Sequence, residues 1–193
     1  FPTGQFYHVA TTKHLPYHVC GAQQDSPPGI CIPSSLEVIV RFQTRAPGGV
    51  VGPTRGAMEV SYDVAGGEMG YIAPDPKDPN VTLGGKWSGA GFMDRFDRDT
   101  GHRRIVSPYP WSTMGEPARD IPERWQWTYP IMFSPVDPNV LFAGSQRVWK
   151  TTDAGQSWTA ISRDLSRNDP LKQGHVGGPI TGDMQGTEVY GVI

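Results

Sequence analysis

The chain has 193 residues and a formal net charge of −2, its 17 Lys and Arg interspersed with 19 Asp and Glu. No cationic run is long enough to neutralise a phosphate backbone, so nucleic acid is not an expected partner, and no apolar stretch approaches the roughly 20 residues that span a bilayer. The 24 Gly and 19 Pro leave no window longer than about ten residues with an unbroken 3.6-residue apolar period, and an all-β chain is expected.

The chain opens at Phe1 with no charged-then-apolar leader, and it is expected to be part of something longer. The first apolar strand runs into Val9-Ala10; a turn containing Pro16 follows, then a second strand through Val19, Cys20 and Gly21. Cys20 and Cys31 flank a bend made by Pro27, Pro28 and Gly29. They form either a loop-closing disulfide or two independent thiols, because spacing alone does not determine Cβ geometry. Neither belongs to a Cys-x-x-Cys pair, and His8, His14 and His18 read as ordinary strand or turn residues, so no metal or other cofactor is expected. From Pro27 to Pro53 the sequence is loop-like, apart from a β-prone run over Leu36–Phe42.

The plan of the first strands then recurs. Ile72-Ala73 leads through a Pro-Asp-Pro-Lys-Asp-Pro-Asn turn to Val81-Thr82-Leu83-Gly84, and Ile131-Met132 leads through Ser-Pro-Val-Asp-Pro-Asn to Val140-Leu141-Phe142-Ala143-Gly144. The period is about 60 residues. Proline removes a ladder donor, so these prolines lie between strands. Downstream, Gly91–Phe96 and Arg103–Val106 flank Asp97-Arg98-Asp99-Thr100-Gly101, while Val148–Thr151 and Trp158–Ile161 flank Asp153-Ala154-Gly155; each reads as strand, tight turn, strand.

A four-stranded unit of about 60 residues has the size of a large propeller blade, and closed propellers have about four to eight blades. The expected architecture is therefore a partial β-propeller of four-stranded antiparallel blades at 1–65, 66–122 and 123–173, with 174–193 beginning the next. Its open blade edges are expected to be covered by the remainder of the propeller or by neighbouring chains.

Thr151, Asp153, Gly155 and Trp158 resemble the Asp-box, Ser/Thr-x-Asp-x-Gly-x-x-Trp, and Asp99 and Gly101 stand in the corresponding places of a degenerate copy. The runs Gln5–Ala10, Tyr17–Asp25, Gly67–Pro74, Trp125–Ile131 and Leu165–Asp169, followed by Gly177–Thr181, are similar to bacterial sortilin-like or glycosyl-hydrolase-like propellers with Asp-box (BNR) repeats. That resemblance implies an exported protein, secreted, periplasmic or at the cell surface. It also implies that each box caps the hairpin between the third and fourth strands of a blade, on the face away from the ligand.

The opposite rim is where a ligand is expected. Gln5, Glu68 and Trp127 precede the first strand of each copy, and Ala22–Asp25, Gly85–Ser88 and Ser145–Arg147 follow the second. Asp25 and Glu68 thus converge with Gln23, Gln24, Trp87, Trp125 and Trp127. Glycoside hydrolysis needs an acid, a second carboxylate and flat apolar faces for sugar rings. In that reading Glu68 is the proton donor, Asp25 the second carboxylate, and their carboxyls lie about 5–10 Å apart across a cleft. The sequence departs from sialidases in singling out no arginine triad. The same rim serves a noncatalytic receptor or assembly propeller binding a polysaccharide or a polypeptide, or a structural subunit of an extracellular assembly. Trp127 also suits packing between blades, and the stretch Asp120–Arg124 suits local ion pairing on a loop.

Overall fold

A computed structural model describes residues 4–34, 61–68, 70–85, 91–111 and 116–175. Among these the chain is all-β, with two short 3-10 turns at Ala118–Asp120 and Pro170–Lys172. The strands form three four-stranded antiparallel sheets, each a meander in chain order. The first holds β1 (Phe6–Thr11), β2 (His18–Gln23), β3 (Ser26–Pro33) and β4 (Tyr62–Asp63). The second holds β5 (Ile72–Pro74), β6 (Val81–Gly85), β7 (Met93–Asp97) and β8 (His102–Ile105), and the third β9 (Ile131–Phe133), β10 (Leu141–Gly144), β11 (Val148–Thr151) and β12 (Thr159–Ala160). The β-prone run Leu36–Phe42 and residues 176–193 lie outside the described residues.

The repeat is built by the same backbone closures in each sheet. Between the first and second strands, Thr12 N–H donates to His18 C=O at 3.0 Å, Asp75 N–H to Val81 C=O at 2.9 Å and Ser134 N–H to Val140 C=O at 2.8 Å. In the two proline-rich copies, short polar side chains take the turn donors: Lys77 N–H goes to Asp75 Oδ1 at 2.8 Å, and Asn139 N–H to Asp137 Oδ1 at 3.0 Å. These Asx-type bonds satisfy turn N–H groups from residues beside the prolines, which is why Asp suits these positions. Beyond the fourth strand, Val64, Val106 and Ile161 each donate N–H back to the third strand, at 2.8, 2.9 and 2.8 Å.

Two apolar layers join the sheets. Cys20, Ala22, Cys31, Val64 and Ile72 are buried between the first and second sheets. Cys20 faces Cys31 in the β2–β3 register, and the two form a disulfide within that layer. Of the two possibilities open at these positions, the bridge is the one present, because cross-strand partners bring their Cβ atoms together. Between the second and third sheets lie Ala73, Leu83, Met93, Val106, Trp125, Tyr129, Ile131, Leu141 and Ala143. The first strands of the sheets follow one another, β1 packing on β5 and β5 on β9.

The sheets are aligned end for end. At one end, here the turn end, Lys77 from the β5–β6 loop donates to Asn139 of the β9–β10 loop at 2.7 Å. At the opposite end, the rim, Asp25 of the β2–β3 turn meets Glu68 of the linker into β5, and Gln146 N–H of the β10–β11 turn reaches Arg124 C=O of the linker into β9 at 3.1 Å.

Candidate functional site

The rim is assembled from linkers that buried polar groups hold in place. Before Glu68, Ala65 N–H donates to Thr82 Oγ1 and Gly66 N–H to Asp94 Oδ1, both at 2.8 Å. Asp94 is fully buried and ion-paired with Arg103, whose Nη2 also donates to Val64 C=O at 2.9 Å. After Glu68, Gly70 N–H closes onto Glu68 C=O at 2.9 Å. The glycines let this linker run tight against β6, where a Cβ on Gly84 would come within 2.7 Å of Gly66 Cα.

Asp25 arrives from the other side, on the β2–β3 turn, in the left-handed region with φ 54°; Asp is among the few non-glycine residues that tolerate it. Its carboxylate accepts from Gln24 Nε2 at 3.0 Å. Tyr7 hydroxyl donates to Gln24 Oε1, and Gln24 N–H to Gln5 C=O at 2.9 Å. Glu68 is only 6% exposed. Burial first, then the charge of Asp25 and a hydrogen bond with its carboxyl, push the Glu68 pKa up, against the opposing pull of the Asp25 backbone N–H.

The structure therefore brings together Asp25, Glu68 and Gln24, and adds Tyr7, which sequence reasoning missed. Gln23, half-buried at the end of β2, pairs in register with Phe6 and Ser26. Trp87 lies outside the described residues. Trp125 is corrected: it is 1% exposed and packs edge-on to buried Tyr129 at 5.0 Å between ring centroids. A ring buried in the layer between sheets cannot be a platform for a sugar. Trp127 packs partly buried against the same layer.

The local ion pairing expected within Asp120–Arg124 is not seen among the described residues: exposed Asp120 lies 3.8 Å from Arg119, just outside that stretch, and buried Glu123 and Arg124 reach further along the chain. Glu123 is 1% exposed and accepts from four donors: Arg147 Nη2 at 2.7 Å, Trp149 Nε1 at 2.9 Å, Gln146 Nε2 at 3.3 Å and the Ser145 hydroxyl. Arg124 pairs with Asp164 at 2.6 Å and donates to Ser166 Oγ at 2.9 Å. These bonds weld the β10–β11 turn to the linker into β9, leaving the Arg147 head partly exposed at the rim. The only advance sign was that Glu123, Arg124 and Ser145–Arg147 occupy corresponding approach and exit segments of one repeat. Among the described residues, no group of three or more His, Cys, Asp or Glu is placed to hold a metal ion.

At the turn end, Asp153 accepts from Ser157 N–H at 2.9 Å, Ser157 Oγ at 2.6 Å and Thr151 Oγ1 at 2.7 Å. These bonds, led by Ser157, hold its pKa down to about 2. Gly155 takes φ 83°, and Trp158 Nε1 donates to Val106 C=O at 2.7 Å, so the turn clasps the residue that follows β8. The Asp97–Gly101 turn differs. Its own N–H from Thr100 goes to Asp97 Oδ1 at 3.1 Å, while Asp99 turns away to accept from Asn80 Nδ2 at 2.8 Å.

No family model, curated protein or solved structure matches the chain.

Proposed function

We propose that the chain forms successive blades of a β-propeller and recognises a polysaccharide or a polypeptide at the rim that carries Tyr7, Gln24, Asp25 and Glu68. The observation that carries this reading is the meeting of Asp25 and Glu68 from two sheets at the end away from the Thr151–Trp158 turn. The like-ordered meanders and the β1–β5–β9 succession support the propeller, and the self-capped turn at Asp153 supports its identification as an Asp-box. The Cys20–Cys31 bridge supports an oxidising compartment outside the cytosol.

Recognition is favoured over hydrolysis. Retaining glycosidases keep about 5–5.5 Å between their carboxyls, and inverting enzymes more. Glu68 is buried beside Asp25, so little of it is open to a glycosidic oxygen. The test applies the intact protein to glycan and peptide arrays, then incubates it with whatever it captures. Capture without cleavage, weakened about tenfold or more by Asp25→Asn, is expected. Cleavage abolished by both Glu68→Gln and Asp25→Asn would make the protein an enzyme. Capture indifferent to both substitutions would place recognition elsewhere.

A further inference from the structure

At the turn end of the first two sheets, several rings and a guanidinium close around one histidine. His18, the first residue of β2, is 6% exposed, and its Nδ1 is hydrogen-bonded to the Tyr62 hydroxyl of β4. Its ring stands edge-on to Tyr62, with centroids 5.4 Å apart, and to His14, 4.6 Å apart. Thr12 fixes both histidines: its hydroxyl contacts His14 Nδ1 at 2.7 Å and accepts from His18 N–H at 2.8 Å. Arg98, in the β7–β8 turn of the second sheet, lays its guanidinium 4.4 Å from the Tyr62 ring centroid. It donates through Nη2 to Asn80 Oδ1 at 2.7 Å, while its buried Nη1 has no hydrogen-bond partner.

Among the described residues, the titratable or charged groups facing His18 are His14 from the β1–β2 loop, Tyr62 from β4 and Arg98 from the β7–β8 turn. Arg98 is a cation, and burial keeps the Tyr62 phenol neutral by raising its pKa. We propose that His14, His18, Tyr62 and Arg98 form an acid-sensitive latch between the first and second sheets, in which a proton on His18 sets cation against cation and releases Arg98 from the Tyr62 face. The cation–π contact crosses between the sheets, and the Tyr62 ring that Arg98 covers stands beside the His18 ring.

Burial, then the charges of His14 and Arg98, lower the His18 pKa from 6.5 to about 4. The folded value lies below the unfolded one, so between them the unfolded chain binds more protons and stability rises with pH. The latch is fully effective above about pH 6.5, weakens as pH falls through the window and is spent below about pH 4.

The test is an NMR titration of the histidines in the intact chain, with urea unfolding at neutral pH and near pH 4. The His18 resonance is expected to titrate near 4, and Arg98→Gln to move its midpoint measurably upward. The folding constant of the wild type should fall on the order of a hundredfold across the window, and His18→Gln should remove most of that fall. A His18 midpoint near 6.5, a midpoint unmoved by Arg98→Gln, or an undiminished acid loss in His18→Gln would each overturn the latch. If His18→Gln does not fold, the wild-type and Arg98→Gln titrations decide.

Discussion

Replacing Arg147 by Met should destabilise the chain mainly through the carboxylate left behind. Arg147 is 37% exposed in its side chain, whereas its partner Glu123 is 1% exposed. Removing the arginine therefore strands a buried charge, which typically costs about 3–5 kcal/mol. Three neutral donors remain, from Ser145, Gln146 and Trp149, and the exposure of Arg147 weakens its own Coulombic share. The low end, about 3 kcal/mol, is expected. Neutralising the stranded group should then help: Glu123→Gln keeps an acceptor for the Ser145 hydroxyl and the Trp149 indole, and in the Arg147→Met background it should restore about 1–2 kcal/mol. Urea unfolding of the two single variants and the double variant measures the cycle. A double variant no more stable than Arg147→Met would refute the reasoning, because the cost would then lie in the lost contact of the guanidinium with the Trp149 ring.

Gly155→Ala should cost about 2 kcal/mol or more, since φ is 83° and the new Cβ would stand 2.8 Å from Val106 Cβ; a melting temperature within a degree of wild type would contradict that origin. Reduction of Cys20–Cys31 should cost about 2–3 kcal/mol, as expected for so short a closed loop. Unfolding with and without reductant checks this, and an unchanged midpoint would show that the cross-strand packing holds the β2–β3 pair unaided.

What could be read from the chain is what depends on near neighbours. The strands and their proline-rich turns follow from local chemistry: Asp75, Asp137 and Asp153 each bond to N–H groups within four residues, so their role is written in the residues beside them. The repeat was visible because each sheet needs the same closures. Ser107 and Ser162 carry a further echo of the repeat: each follows an apolar residue and accepts an N–H from the third strand, at 2.7 and 2.8 Å.

Tertiary structure decided the rest, because the deciding partners are distant in sequence. Trp125, Trp127 and Trp149 are the same residue type near the same end, yet one is sealed between sheets and the others are half-buried, which depends on what the neighbouring sheet puts over them. Likewise Asp99 and Gly101 stand in the places of Asp153 and Gly155, but Asn80 from another loop draws Asp99 away. The sequence by itself determined an all-β chain of repeating meanders and the end at which Asp25 and Glu68 would meet. Only the fold decided that Glu68 is buried beside Asp25, that Glu123 is solvated by four donors and that His18 is enclosed. Each is a balance of desolvation against partners brought in from elsewhere in the chain, and local sequence does not carry that balance.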